Sequence, residues 1–381
     1  MSQQTPRSVI GSLVRLLVLL VCAETIFGQS ADQNLSPQVR SEIEATVSKF
    51  MASTHVPGVS IAVVEKGKLL WAKGFGWADA ENDVPATEHT LFRLGSISKP
   101  LTAAAAMELV ERGKLDLDAP VQRYCPAFPQ KSAPITTRLV MGHLSGIRHY
   151  KSGSQNDPEI GNTRHFDDPI QAGLDFFKND PLLSEPGRQF HYSTQGYTLV
   201  GCVIEGASGD KYVNFVSHNV FEPAGMKQTE ADDRFKVIHD RTRFYRKTES
   251  GTVENADLVD SSYKIPGGGW LSSAEDMAQF ESAILNDKLM TPATRQLMWT
   301  PLKPAEGKPN GYALGWGTFR ENDVFLVGHS GGQQGTSTDF MIAPEKRSGV
   351  VVLTNMEGIA ASDLAKQMLR VVPGVYSSQK Q

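Results

Sequence analysis

The sequence predicts an α+β fold: an antiparallel sheet built from both chain ends with flanking helices, plus an inserted, mainly helical lobe. Three observations carry that expectation. Strand-like runs crowd the two ends, at 59–76 and again across 311–354. The stretch from about 120 to 265 instead carries Pro-rich connections, polar loops and short helical patterns. The 381 residues, 40% hydrophobic and 21% charged, suffice for one large domain or two coupled ones. One sheet shared by both ends and covered by the terminal helices is the economical way to bury them. The junction of sheet and lobe is then the natural ligand cleft.

Taken in order, the chain opens with Arg7 and Arg15, an unbroken apolar run from Leu16 to Ala23, and no acid before Glu24. That is the pattern of a secretory signal over 1–28, cut near Gly28. Eight apolar residues are too few to span a bilayer. The expectation is a secreted or periplasmic protein, with an uncleaved membrane anchor or a mitochondrial address as the alternatives. Residues 29–40 are polar and read as a linker, and 373–381 as a tail. Between them lies one domain, 41–372, with its α/β part at 41–120 and 266–372 and the helical lobe at 121–265. Helical spacing covers 41–54. A hairpin follows over 59–76, turning at Glu65–Lys68. Ile97–Arg112 reads as a helix stopped by Gly113, and 275–287 as another. "GYALGWGTF", "DVFLVGHSGG", "GTSTDFMIAP" and "SGVVVLTN" read as strands, and a last helix covers 359–372.

Several function classes drop out. A net charge of −4 without a Lys/Arg block leaves no footprint for nucleic acid. No Walker loop, HExxH, EF-hand loop or complete GxGxxG occurs, and "GFGWAD" lacks the third glycine. Beyond the leader stand two cysteines, Cys125 and Cys202, without metal or redox spacing. Cys202, within "YTLVGCVIE", reads as a buried thiol, and a single bridge between the two stays open.

Ser-x-x-Lys occurs four times: at Ser96/Lys99, Ser208/Lys211, Ser261/Lys264 and Ser377/Lys380. The pattern alone is weak, so context decides. Acyl transfer needs the serine at the first turn of a helix, where free N–H groups and the dipole favour an oxyanion. The i, i+3 spacing sets the lysine on the same face, and a desolvated lysine accepts a proton more readily. Only Ser96 has a glycine before it and a strong helix after it. Ser377 lies in the tail, Ser261 precedes Pro266 closely, and Ser208 reads as a cap. The rival "GHSGG" at 328–332 matches a nucleophile elbow, but all nine histidines lie at or before His329, so the elbow's trailing histidine is missing. Its glycines suit a strand edge that approaches a ligand closely. A third element, "FHYSTQGYTLVG" at 190–201, places Tyr192 just before a helix, where a phenol can relay protons. His143, His149 and Tyr150 in "HLSGIRHY" read as a loop held by local hydrogen bonds rather than as site residues.

"SISK" at 96–99, "YST" at 192–194 and "HSG" at 329–331, in this order, resemble the motifs of the penicillin-recognising serine hydrolases. That family includes class C β-lactamases, DD-peptidases and related esterases. The resemblance covers nearly the whole chain after the leader and implies the β-lactamase/transpeptidase-like fold. "FRLGSISKPLT", "GKLDLDAPVQRY", "LVMGHLSGIRHY" and "HYSTQGYTLVG" are similar to an animal mitochondrial branch of the same group. The resemblance implies acyl transfer without metal or cofactor: Ser96 as nucleophile, Lys99 and Tyr192 handling protons. Thr194, His329, Ser330, Gly331 and Gly332 would bind the substrate, with the N–H groups of Ser96 and Gly332 as the oxyanion hole. Which of Lys99 and Tyr192 is the base stays open. Thr194 stands where the family has an asparagine and His329 where it has a lysine, which weakens β-lactam turnover and points to a peptide, amide or ester substrate. Self-assembly enters by analogy with the mitochondrial branch alone. A weak sensor or a filament former on the same fold is the alternative.

Overall fold

Both chain ends supply one seven-stranded antiparallel sheet. Its strands are β1 (Gly58–Glu65), β2 (Lys68–Asp79), β3 (Val84–Pro85), β4 (Gly317–Glu321), β5 (Val324–Gln333), β6 (Thr336–Ala343) and β7 (Ser348–Thr354), in the spatial order β3-β2-β1-β7-β6-β5-β4. The two ends meet where β1 pairs β7, with Val59 opposite Thr354 and Val63 opposite Val350. The computed structural model describes Met1, residues 35–152, Asp157 and residues 159–376. Apart from Met1, the leader expected over 1–28 lies outside the described residues.

The long helices are α1 (Pro37–Thr54), α2 (Ser98–Glu111), α3 (Thr194–Ser208), α4 (Ala274–Leu285) and α5 (Ala361–Val371). β6 and β7 are buried at every position, so both faces of the sheet need cover. On one face Ile61, Val63, Val350 and Val352 pack with Ile43 and Val47 of α1 and Leu364 and Met368 of α5. On the other, Ala62, Val351, Leu353 and Phe340 pack with Phe280 and Ile284 of α4 and with α2. Along a strand successive side chains alternate between these two cores. α2 is buried from Ser98 through Leu109. A helix without a solvent face sits between layers, and α2 lies between sheet and lobe.

The lobe is less helical than its sequence predicts. Besides α3 it holds short helices at Thr137–Met141, Pro169–Asp175 and Tyr212–Val216 and a small strand pair, Tyr245–Lys247 with Val253–Asn255. Short helices are stable only through tertiary contacts; Val140 and Met141, Ile170 and Leu174, and Phe215 and Val216 supply them in the core, and polar anchors hold the connections. The Asp276 carboxylate accepts from the backbone N–H groups of Lys227, Gln228 and Thr229. Cys125 and Cys202 form a disulfide, Cα–Cα 5.5 Å, which pins the Val121–Arg123 turn region to α3. Cys202 is therefore not the free buried thiol expected of its apolar run.

Three boundaries differ. α1 starts inside the expected linker, because Ser36 accepts from the N–H of Val39 and Pro37 fills the first helical position. Residues 312–316 are not strand: Gly311 and Gly315 adopt φ of +74° and +84°, which breaks the extended run before Gly317. Val375, within the expected tail, is buried against the α1/α5 core.

Candidate active site

Ser96 occupies a 3-10 turn, Gly95–Ile97, that runs directly into α2. Gly95 adopts φ +55°, and a Cβ on it would lie 2.7 Å from the Gly332 nitrogen. The glycine is therefore required twice: for its left-handed backbone and for the close crossing of β5. β6 fixes this segment from the other side. Thr336 Oγ1 donates to the Arg93 carbonyl and Thr338 Oγ1 to the Leu94 carbonyl, each at 2.9 Å.

Lys99, one turn on, is fully buried. Its Nζ lies 3.0 Å from Ser96 Oγ, 3.1 Å from Thr194 Oγ1 and 2.8 Å from the Gly267 carbonyl. Burial, and then the Lys264 ammonium, hold its pKa well below that of an ordinary lysine. A neutral amine has two N–H groups and one lone pair. As an ammonium Nζ donates to all three oxygens; as a neutral amine it gives its two N–H groups to Thr194 Oγ1 and the Gly267 carbonyl and turns its lone pair to the Ser96 hydroxyl. The Tyr192 ring stands 4.8 Å from Nζ, and the Ser96 side chain lies near enough to its hydroxyl to lower the phenol's pKa against the effect of burial. Burial raises the pKa of Tyr192, so the phenol keeps its proton.

The loop "HLSGIRHY" caps α3 and thereby sets Thr194. The N–H of Ser193 donates to His143 Nδ1 and that of Thr194 to His149 Nδ1, both at 3.1 Å. Ser193 Oγ accepts from the N–H of Gly196 at 2.9 Å and donates to the Arg148 carbonyl at 2.6 Å. These donors are the orphan N–H groups of a helix start. Burial and nearby cations depress both imidazoles, that of His149 to about 3. Both are therefore neutral and able to accept. Arg148 holds the loop from behind, bonded to Glu159 at 2.8 and 2.9 Å and to Asp180 at 2.6 Å. The hydrogen bonds that hold the loop are not the local ones expected of it: they reach Ser193 and Thr194 and Asp180, and His149 and Tyr150 also line the cleft.

The cleft encloses about 270 Å³ and brings together Ser96, Thr194 and Gly332 with His149, Tyr150, Lys264, Gln333 and Gln334. A Cβ on Gly332 would meet nothing within 4 Å, whereas one on Gly331 would lie 2.0 Å from the Leu94 carbonyl oxygen. Gly331 thus lets β5 lie against the turn, and Gly332 keeps the cleft open. His329 stands behind Tyr192, ring centroids 6.3 Å apart. Its Nδ1 is 2.6 Å from the Ser330 carbonyl and its Nε2 2.9 Å from the Tyr312 hydroxyl. Burial, then Lys99, lower its pKa to about 3, so it carries no charge and orders Tyr312. Ser330 departs from expectation. It pairs with Asp339 across the sheet and lines a separate pocket with Asp339, Ser362 and Lys366. The period of two in a strand puts it on the α5 face, away from Ser96. Lys264, Gln333 and Gln334 are cleft side chains that sequence reading missed. The Ser261/Lys264 spacing was the available signal for the first, and Gln333 follows directly on "HSGG".

A sheet made from both chain ends, an inserted lobe and a Ser-x-x-Lys serine between them make up the β-lactamase/transpeptidase-like fold of serine hydrolases. The Beta-lactamase family model matches residues 43–371, and the chain belongs to that family. It is 33% identical to the human "Serine beta-lactamase-like protein LACTB, mitochondrial", covering 76% of this chain and 69% of that one. It is 26% identical to Protein flp of Staphylococcus aureus, spanning 84% of this chain and 64% of flp. Among solved structures it is similar to the octameric penicillin-binding protein homologue from Pyrococcus abyssi. There the TM-score is 0.75 and identity 28%, with 87% of this chain and 76% of that chain covered. D-amino acid amidase from Ochrobactrum anthropi SV3 shares the fold at TM-score 0.76 and 24% identity, covering 88% and 98%.

Proposed function

We propose that the protein is a serine hydrolase that acts on a peptide, amide or ester through an acyl-enzyme. The observation that carries this is the 3.0 Å approach of Ser96 Oγ to a lysine whose charge is disfavoured by full burial. Ser96 Oγ attacks the carbonyl carbon while its proton moves to Lys99 Nζ. Lys99 is the base rather than Tyr192, because burial works in opposite directions on the two: it strips the proton from an amine and keeps it on a phenol. The N–H groups of Ser96 and Gly332 face the developing oxyanion. On collapse the bond to the leaving group breaks. The proton held by Lys99 reaches that group through the Tyr192 hydroxyl. Water then repeats the sequence on the acyl carbonyl. The neutral His329 gives no cation on β5, which argues for an amidase, peptidase or esterase rather than a β-lactamase.

The disulfide favours an oxidising compartment, reached through the N-terminal leader. A secreted or periplasmic site meets that condition, whereas the animal relatives are named mitochondrial. Thiol-blocking of the protein as extracted from cells tests it. For the activity itself, the test is intact-mass and peptide mapping after fluorophosphonate treatment. An adduct on Ser96, absent in Ser96→Ala, is expected; folded protein without an adduct refutes acyl transfer.

A further inference from the structure

Two polar groups in the cleft have no part in the acyl-transfer steps. Lys264 ends the Ser262–Lys264 turn, is 3% exposed and lines the cleft with Ser96 and Tyr150. Its Nζ makes no hydrogen bond or ion pair with any described residue and faces only the rings of Tyr150 and Tyr263, at 5.7 and 5.6 Å. The Gln333 side chain lines the same cleft, and both its amide oxygen and its amide nitrogen are buried without a partner. An ammonium at the cleft wall without a counter-ion and an unpaired buried amide are each costly. Functional sites are where such costs are retained.

Among the described residues no nearby group supplies the missing anion. Arg93 opposes the Lys264 charge and Asp232 supports it. Asp232, however, is already held by Arg93 Nε at 2.7 Å and Arg241 Nη1 at 3.2 Å. Lys99 and His149 lie near enough to be depressed by Lys264. Tyr150 keeps its proton, pushed up to about 12, and the pKa of Tyr263 is likewise raised. Glu159 is paired with Arg148 and with Gln195. The cleft is therefore short of one negative charge.

We propose that Lys264 determines the specificity of this cleft: its ammonium takes a carboxylate that the substrate carries close to its scissile carbonyl, and Gln333 takes a neighbouring amide group. The inference rests on Ser96 acting as the nucleophile. It places the substrate-recognising cation on the lobe side of the cleft, where the β5 position is filled by a neutral histidine. Burial, then Arg93, lower Lys264 to about 7 in the free protein. Preference for the carboxylate over a matched neutral group therefore weakens as pH rises past 7.

The test uses the full chain and matched probes that differ in one charge. Turnover is read with p-nitrophenyl hydrogen glutarate against p-nitrophenyl pentanoate, in wild type, Lys264→Met and Lys264→Arg. Binding is read by calorimetry with glutaric acid monoanilide against pentananilide, in Ser96→Ala with and without Lys264→Met. Lys264→Met is expected to lower the ratio of kcat/KM, and of affinity, between the charged and the neutral member by about tenfold or more. Lys264→Arg keeps the preference. Fluorophosphonate labelling of Ser96 reports that the variant's site is folded. Equal losses on both members, or no preference for the charged member in the parent protein, overturn the proposal. If wild type is neither labelled nor active but Ser96→Ala still binds the monoanilide through Lys264, acyl transfer fails and the anion subsite stands.

Discussion

Asp339→Asn is expected to remove one falling component from the pH dependence of stability. Asp339 lies in β6 opposite Ser330 and is 3% exposed. Its Oδ2 accepts from Ser362 Oγ at 2.5 Å, while Oδ1 is buried without a partner. Burial lifts the carboxyl from 3.8 to about 7, against the Ser362 hydrogen bond and Lys366. Between those two values the folded protein holds a proton that the unfolded chain has released. Stability therefore falls as pH rises through that window and levels off above it. A shift of about three units is worth about 4 kcal/mol. Asn keeps the shape and the acceptor for Ser362 but does not titrate. Its amide group adds a fixed cost of about 1 kcal/mol, which moves the curve without changing its slope. Urea unfolding of both proteins from pH 4 to 8.5 measures the difference. Asn is expected to be neutral or slightly worse at pH 4 and to gain by about 3–4 kcal/mol at pH 8. A difference that stays constant across the range refutes the raised carboxyl.

Three further outcomes follow from the geometry. Tyr192→Phe removes the proton path to the leaving group, so amide or peptide turnover is expected to fall by about 10²–10⁴. Acylation by an activated ester, whose leaving group needs no proton, falls far less, and parallel kinetics on the two show the split. Gly95→Ala forces a side chain into φ +55° and against the Gly332 nitrogen. It is expected to cost about 1–3 kcal/mol and to abolish labelling of Ser96, read by thermal unfolding and mass spectrometry. Cys125→Ser with Cys202→Ser opens a link across 77 residues of sequence. The loss is expected to be about 4 kcal/mol on the chain-entropy account, read as a lower urea midpoint.

Much of this was legible in the sequence. Alternation in 59–76 and the apolar runs of 324–354 specify strands locally, and a sheet shared by both chain ends follows from having to bury them. Ser96 was legible for a similar reason. A glycine, a serine and a lysine at helical spacing, followed by a long apolar run, are constraints that lie within a few residues of one another. The mixed structure of the lobe was not legible, because its short helices pack into the core and its connections are held by Asp276, Arg148 and the Cys125–Cys202 bridge, whose partners lie far away in sequence. Residues 312–316 looked like strand because their side chains alternate, and backbone φ at two glycines decided otherwise.

What the sequence determined by itself is the set of local devices: the α2 lead-in with Ser96 and Lys99 one turn apart, the glycines that permit close approach, and the strands at both ends. What only the tertiary structure decided is the environment of each group. Full burial disfavours the charge on Lys99, and partial burial keeps the proton on Tyr192 and leaves His329 neutral beside Tyr312. The pleat sends Ser330 to the α5 face while Gly332 opens into the cleft. A turn in the lobe carries Lys264 to Ser96 from 168 positions along the chain. Spacing along a chain fixes which side chains share a helix face or a strand face. Desolvation and unmet hydrogen bonds depend on every atom within a few ångströms, and those atoms come together only when the chain folds.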